Sequence, residues 1–345
     1  MYKGYVVDKA LLDKDPHFKA GCILCHAGND GELSKEKAHL RMLKKPSDNL
    51  RSCGVCHKKT AANYAKSLHY TTIGQRTGVM PRFSEAELKT FDEKVFEKSC
   101  RSCHASCGDC HVKGAPVGGI SIGLVAKHKF VKKDEGKTCA FCHGGRVYPE
   151  YTGDYGGAPD VHYQKGMLCM DCHKKAEFHG DGTAYKSKNE VPQRPACKSC
   201  HPQGKEAKKE TQVAHSLHDG KASCYGCHSG SAYRNCNDCH GGHAAAGPGM
   251  ILGRSPRDRK VLTTLRLIPT VRDTFAPAGI KMEHFDAVPN YWDTPAHNIK
   301  KRTERTRKCD VCHVDRKNFL TKETLIKNGA KANEELIFVP KAIAR

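Results

Sequence analysis

The chain has 345 residues, with twenty cysteines, 58 Lys and Arg against 37 Asp and Glu, and a formal net charge of +21. Only 38% of residues are hydrophobic and 7% aromatic, beside 32 glycines and 16 prolines. That is thin material for the two side-chain cores such a length would suggest, and no run approaches the roughly 18 apolar residues of a membrane helix.

Taken in order, the chain opens on a strand-like Tyr5-Val-Val7, and residues 1–60 carry two copies of the pattern Cys-x-x-Cys-His, at Cys22/Cys25/His26 and Cys53/Cys56/His57. Residues 61–99 lack cysteine. There Ser84 and Glu87 form a capping-box pattern ahead of Leu88, Phe91, Val95 and Phe96 at helical spacing. This helix is expected to lay its apolar face on the group bound at Cys100.

Residues 100–243 hold seven copies: Cys100/Cys103/His104, Cys107/Cys110/His111, Cys139/Cys142/His143, Cys169/Cys172/His173, Cys197/Cys200/His201, Cys224/Cys227/His228 and Cys236/Cys239/His240. Only Ala105 and Ser106 separate the first two, and His228 and Cys236 begin a second tight pair. Glycine-rich connectors, Gly114 to Gly123 and Tyr151 to Pro159, read as loops. Residues 244–308 are free of cysteine. In them Val261–Ile268 has strand character, is broken by Pro269, and predicts a small hairpin or an edge strand. The tenth copy, Cys309/Cys312/His313, precedes a short helical pattern stopped at Asn328-Gly329 and an apolar run Leu336–Val339.

No cysteine falls outside the pattern, of which chance would give on the order of 0.1 copies at this composition. Two thiols three positions apart both add to the vinyl groups along one edge of a haem, and the next histidine lies under the iron. Disulfides and redox pairs have no use for that histidine, and zinc ribbons need regularly spaced pairs of pairs. The reading is ten covalently attached haem c groups. With one macrocycle for every few tens of residues, the haems are expected to form the core of a single haem-wrapped unit over 1–345. The fold class is a multihaem cytochrome c, mostly coil with short α-helices and little β.

Eleven further histidines face ten irons in need of a sixth ligand: His17, His39, His69, His128, His162, His179, His215, His218, His243, His284 and His297. Ring nitrogens are good ligands, and one of the eleven is spare. His215 and His218, at i and i+3 of one helical face, serve two neighbouring irons or include the spare. Bis-histidine ligation closes both axial positions and gives low-spin iron. The seven methionines are expected to pack rather than ligate.

The haems also correct the charge. Propionates and ferric cores together add about −1 per oxidised and −2 per reduced haem, which takes +21 to about +11 or about +1 and removes the nucleic-acid reading. Thioether attachment takes place outside the cytoplasm in prokaryotes, so an exported protein is expected, its signal segment not being present at Met1-Tyr-Lys-Gly.

By these motifs the chain resembles the multihaem cytochromes c of respiring bacteria and archaea. Porin-embedded decahaem conduits are similar in length and haem number but favour Cys-His-Asn-Pro-His-Gly, where this chain has Cys-His-Gly-Gly-His243. Catalytic multihaem enzymes have an open haem or a lysine ligand, and no motif here is Cys-x-x-Cys-Lys. The chain is similar to the subunits of extracellular cytochrome filaments. That resemblance implies a homo-oligomer forming a helical filament at the cell surface or outside the cell. His17 and the strand-prone termini would act between subunits, and electrons would pass to other redox proteins, minerals or electrodes. It implies an electron carrier with no catalytic residue and no transmembrane segment. The competing readings are an oxidoreductase for nitrogen or sulfur oxyanions with one open haem, and a soluble or porin-associated shuttle.

Overall fold

A computed structural model describes residues 9–113, 116–117, 120–121, 129–132, 136–154, 157–202, 208–230, 250–268 and 270–342. The chain divides into two compact units, each assembled from three stretches. The first comprises Met1–Gly74, Cys103–Thr138 and His173–Gln193; the second comprises Gln75–Ser102, Cys139–Cys172 and Arg194–Arg345.

The first unit is a set of one- and two-turn helices, among them Cys22–His26, Leu50–Gly54, Lys58–Tyr64 and Cys107–His111. Polar ties join them. The Tyr64 hydroxyl donates to the Ala105 carbonyl at 2.6 Å, and Ser47 meets Ser106 at 2.9 Å. Two strands, β1 (Val112–Lys113) and β4 (Lys129–Phe130), pair antiparallel, as do β2 (Pro116–Val117) and β3 (Ile120–Ser121). Few described apolar side chains here are buried, Ala61, Tyr64 and Val191 being the instances, while Leu33 and Leu40 lie exposed. Without a filler such as a macrocycle this unit has little core.

The second unit departs from the expectation that haems supply the whole interior. Its haem-free segments build two ordinary side-chain cores. Ser84 and Glu87 close the expected capping box, and the helix Glu85–Phe91 continues as a π-helical turn, Asp92–Phe96. Its apolar face packs on Phe83, Ile280, Met282 and Phe285. This corrects the reading that it faces a haem, although Cys100 touches the cluster's rim. The cause is visible in Glu87, whose carboxylate caps the helix through Ser84 N–H and also accepts from the N–H groups of Lys281, Met282 and Glu283 at 2.8–3.0 Å.

The second core lies on a three-stranded antiparallel sheet, β5 (Ile251–Arg254), β6 (Leu262–Leu267) and β7 (Tyr291–Asp293), in that spatial order. Leu252 pairs with Thr264, and Leu265 with Asp293. The strand predicted at 261–268 is therefore central rather than an edge, because the distant Tyr291–Asp293 covers its second side. Ile251, Leu265, Leu267 and Tyr291 pack with Leu320 and Leu336, so the apolar C-terminal run begins at home. Tyr5–Val7 and Pro269 lie outside the described residues. Among those described, no helix is long and apolar enough to cross a membrane. The chain is short helices and coil with little β.

Candidate haem-binding sites

Most described motifs sit on helical turns. Cys22–His26, Cys107–His111 and Cys224–His228 are one-turn helices, Lys137–His143 ends on its motif, and Cys100–Cys103 and Cys197–Ser199 are 3₁₀ turns. A helical turn puts residues i, i+3 and i+4 on one face, which aims both sulfurs and the ring to the same side. Caps hold some turns in place: Ser106 and Asp109 make a capping box, and Ser223 accepts from Gly226 N–H at 3.3 Å. Among the described residues, the second cysteine of a pair is exposed at Cys56, Cys103, Cys110, Cys142, Cys172 and Cys200. Apolar neighbours stand open beside them, with Ile23 44%, Val55 53% and Phe141 90% exposed. Among the described residues no three His, Cys, Asp or Glu form a metal-holding cluster.

The histidines instead come in facing pairs. Ring centroids are 6.2 Å apart for His17 and His57, 5.9 Å for His111 and His179, 6.0 Å for His162 and His201, 6.1 Å for His215 and His228, and 6.2 Å for His218 and His313. Each pair joins one motif histidine to one of the eleven others. Two metal–imidazole bonds of about 2.0 Å, each with about 1.1 Å more to the ring centre, call for a separation of about 6 Å. The pairs fit an iron with two axial imidazoles. His215 and His218 face different motifs, so one helix, Lys209–His218, addresses two sites.

Second-sphere contacts point the same way. A ligating imidazole is normally held by a hydrogen bond at its other nitrogen, which fixes the tautomer. Nδ1 lies against a backbone carbonyl in His26 (Leu43, 2.9 Å), His39 (Lys35, 2.7 Å), His111 (Val131, 2.7 Å), His218 (Ala214, 2.7 Å), His228 (Lys300, 3.1 Å) and His313 (Lys341, 2.8 Å). It lies against a carboxylate in His17 (Asp15, 2.7 Å), His162 (Asp160, 2.8 Å) and His173 (Glu177, 2.8 Å). Nε2 is then the nitrogen left to bind. Burial pushes the pKa of His179 and of His228 down, which favours the neutral ring that a metal requires. The three carboxylates were not singled out by the motif search. Asp15 and Asp160 had a signal available, Asp-x-His at a free histidine, and Glu177 had i+4 spacing from His173 on the turn that follows.

The other candidates have different neighbours. His69 and His173 both lie against Phe178, at 5.5 and 6.1 Å, and His104 meets Tyr70 at 5.8 Å. His297 donates its backbone N–H to the buried Glu150 at 2.9 Å. His284 is exposed and donates its backbone N–H to Arg82 O. His17, which the filament resemblance singles out for a role between subunits, faces His57 of its own chain and stacks on Phe130 at 4.1 Å. His128, Cys236, Cys239, His240 and His243 lie outside the described residues.

Neighbouring motifs touch through their first cysteines. In the first unit the thiols of Cys53 and Cys107 are near enough to interact, and in the second those of Cys197 and Cys224. Cys227 and Cys312 are also near enough to interact. Groups attached at contacting sulfurs have adjacent edges, the geometry that short-range electron exchange needs.

No curated protein and no solved structure matches the chain. Residues 161–241 match the family model described as cytochrome c3, a stretch containing four motifs, at Cys169, Cys197, Cys224 and Cys236, together with His162, His179, His215 and His218. Placed beside the paired histidines, this match supports a multihaem c-type cytochrome, an electron-transfer protein with covalently bound haem.

Proposed function

We propose that the chain is an exported decahaem carrier in which electrons hop between closely spaced bis-histidine haems, and that it polymerises into an extracellular conductive filament used in anaerobic respiration. The observation that carries the first part is the recurrent facing of a motif histidine and a free histidine at about 6 Å. Each cysteine pair would hold one haem through its vinyl edge, and the motif histidine and the histidine facing it would supply the two imidazole donors to its iron. Haem so held supplies a one-electron ferric/ferrous couple. The paired imidazoles exclude substrate and water from the axial positions, which favours a carrier over an enzyme. His284 is the histidine left over: it is exposed and caps Phe285–Ala287 in a segment without cysteine.

The filament reading rests on the decahaem resemblance and on the contacting motifs, with electrons delivered to partner redox proteins or to extracellular acceptors. The purified holoprotein tests both parts. Intact mass should give ten haems, and electron paramagnetic resonance should give only low-spin ferric signals; a high-spin haem that binds nitrite, hydroxylamine or CO would favour an oxidoreductase instead. Negative-stain microscopy at moderate salt should show regular fibres, whereas discrete monomer-sized particles would leave a diffusible or porin-associated shuttle.

A further inference from the structure

We propose that Asp15 and Asp160 are potential-setting residues, each holding one haem of a contacting couple at lower potential than its neighbour. The inference rests on the ligand pairs proposed above and concerns what stands behind them. The two aspartates are built alike. Asp15 Oδ1 accepts from both the backbone N–H (3.0 Å) and Nδ1 (2.7 Å) of His17, and Asp160 Oδ1 accepts from the same two groups of His162 at 2.7 and 2.8 Å. Asp160 is 1% exposed and its second oxygen is tied to Ile299 N–H at 2.6 Å. Asp160 is thereby held at both oxygens, and Asp15 at Oδ1 by two donors of His17.

An anion at Nδ1 draws that proton toward itself and makes Nε2 a stronger donor. A stronger, more negative donor stabilises ferric iron over ferrous and so lowers the potential. His17 faces His57 and His162 faces His201, so the effect falls on the haems at Cys53–His57 and Cys197–His201. Their contacting neighbours are held differently. At Cys107–His111 the motif ring is backed by the neutral Val131 carbonyl, and the Nδ1 of the facing His179 is buried without a hydrogen-bond partner. At Cys224–His228 the backing group is the Lys300 carbonyl, and the Arg305 guanidinium acts on His228 as an added positive charge.

In both couples, then, a carboxylate-backed site touches a carbonyl-backed one through the first cysteines. One electron leaves the former and enters the latter, with one iron oxidised, one reduced, and no bond or proton transferred. The pattern occurs once in each unit, which gives each couple a downhill direction.

Asp15→Asn and Asp160→Asn test this in the full holoprotein. Asparagine keeps an oxygen for the backbone donors and removes the charge. The expected result is a rise of one haem's potential in each variant, by at least a tenfold shift in its ferric/ferrous equilibrium, about 59 mV for one electron, read by spectroelectrochemical titration. Haem content stays at ten and all signals stay low-spin. Potentials unmoved within about twofold in both variants, with haem content and spin state intact, would overturn the proposal. So would the appearance of a high-spin haem, which would make the aspartates mere supports for ring position. His17→Gly and His162→Gly separate this from the ligand pairs themselves. Each should turn one low-spin haem high-spin, and if neither does, the pairs are wrong and the potential-setting role falls with them.

Discussion

At the scale of single residues, the histidines divide by what backs them. A ring held at Nδ1 by a carbonyl is fixed in tautomer at little electrostatic cost, and His218, held by Ala214, is of this kind. Replacing His218 by glycine should leave the site at Cys309–His313 without its upper ligand: one high-spin signal and CO uptake by one haem in ten are expected, with the remaining spectrum unchanged. His284→Ala should leave the low-spin spectrum unchanged, since among the described residues no histidine ring faces it; a high-spin signal in that variant would show that another histidine is the spare. The motif residues stand out in the sequence because thioether chemistry demands adjacent residues. The pairing does not. His218 and His313 are far apart in the chain, and nothing in either neighbourhood records that folding brings them to 6.2 Å.

At the scale of elements, the haem-free helix shows where chain-local reading stops. Its capping box is a local pattern and appears as expected, but its packing partner comes from residues 280–285, a choice made by tertiary contact. Glu87 joins the two. Four backbone N–H donors hold its carboxyl below the usual carboxylate pKa, against a burial effect that raises it. The sign follows from linkage: the stabilisation is complete above the ordinary value of about 4.3 and is lost as the pH falls through the lower folded value. Glu87→Gln should weaken this junction by about 1–3 kcal/mol and speed hydrogen exchange at the amides of Lys281–Glu283 at pH 7. The difference from the unmodified chain should shrink in acid. Gly78 is a second such contact, since a Cβ there would run into the Trp292 ring. Gly78→Ala should cost about 1–3 kcal/mol, readable as a lower denaturation midpoint for the second unit. The strand at 262–267 was legible as a strand from its β-branched and leucine residues, while its central place depended on Tyr291–Asp293, too short a segment to announce itself.

At the scale of the whole molecule, composition alone pointed to cofactors as the missing apolar matter. It described the first unit better than the second, where 79–100 and 250–337 supply cores of their own. The basic excess is expected to offset the propionates, and reduction, which removes one positive charge per iron, should lower the pH of zero electrophoretic mobility of the holoprotein; an unchanged value would mean that proton uptake offsets each electron. The helix Lys209–His218 shows what the haems do for the chain itself. It buries no residue, and Val213 and Leu217 lie 49% and 59% exposed. Ten residues without a buried face are marginal as a free helix in water. On the proposed ligation it is a clasp with two rivets, His215 and His218, and the metal bonds would keep it wound as much as it keeps them aligned. Either bond alone would hold the segment in place, so the two irons should surrender their ligands together only when the segment itself unfolds.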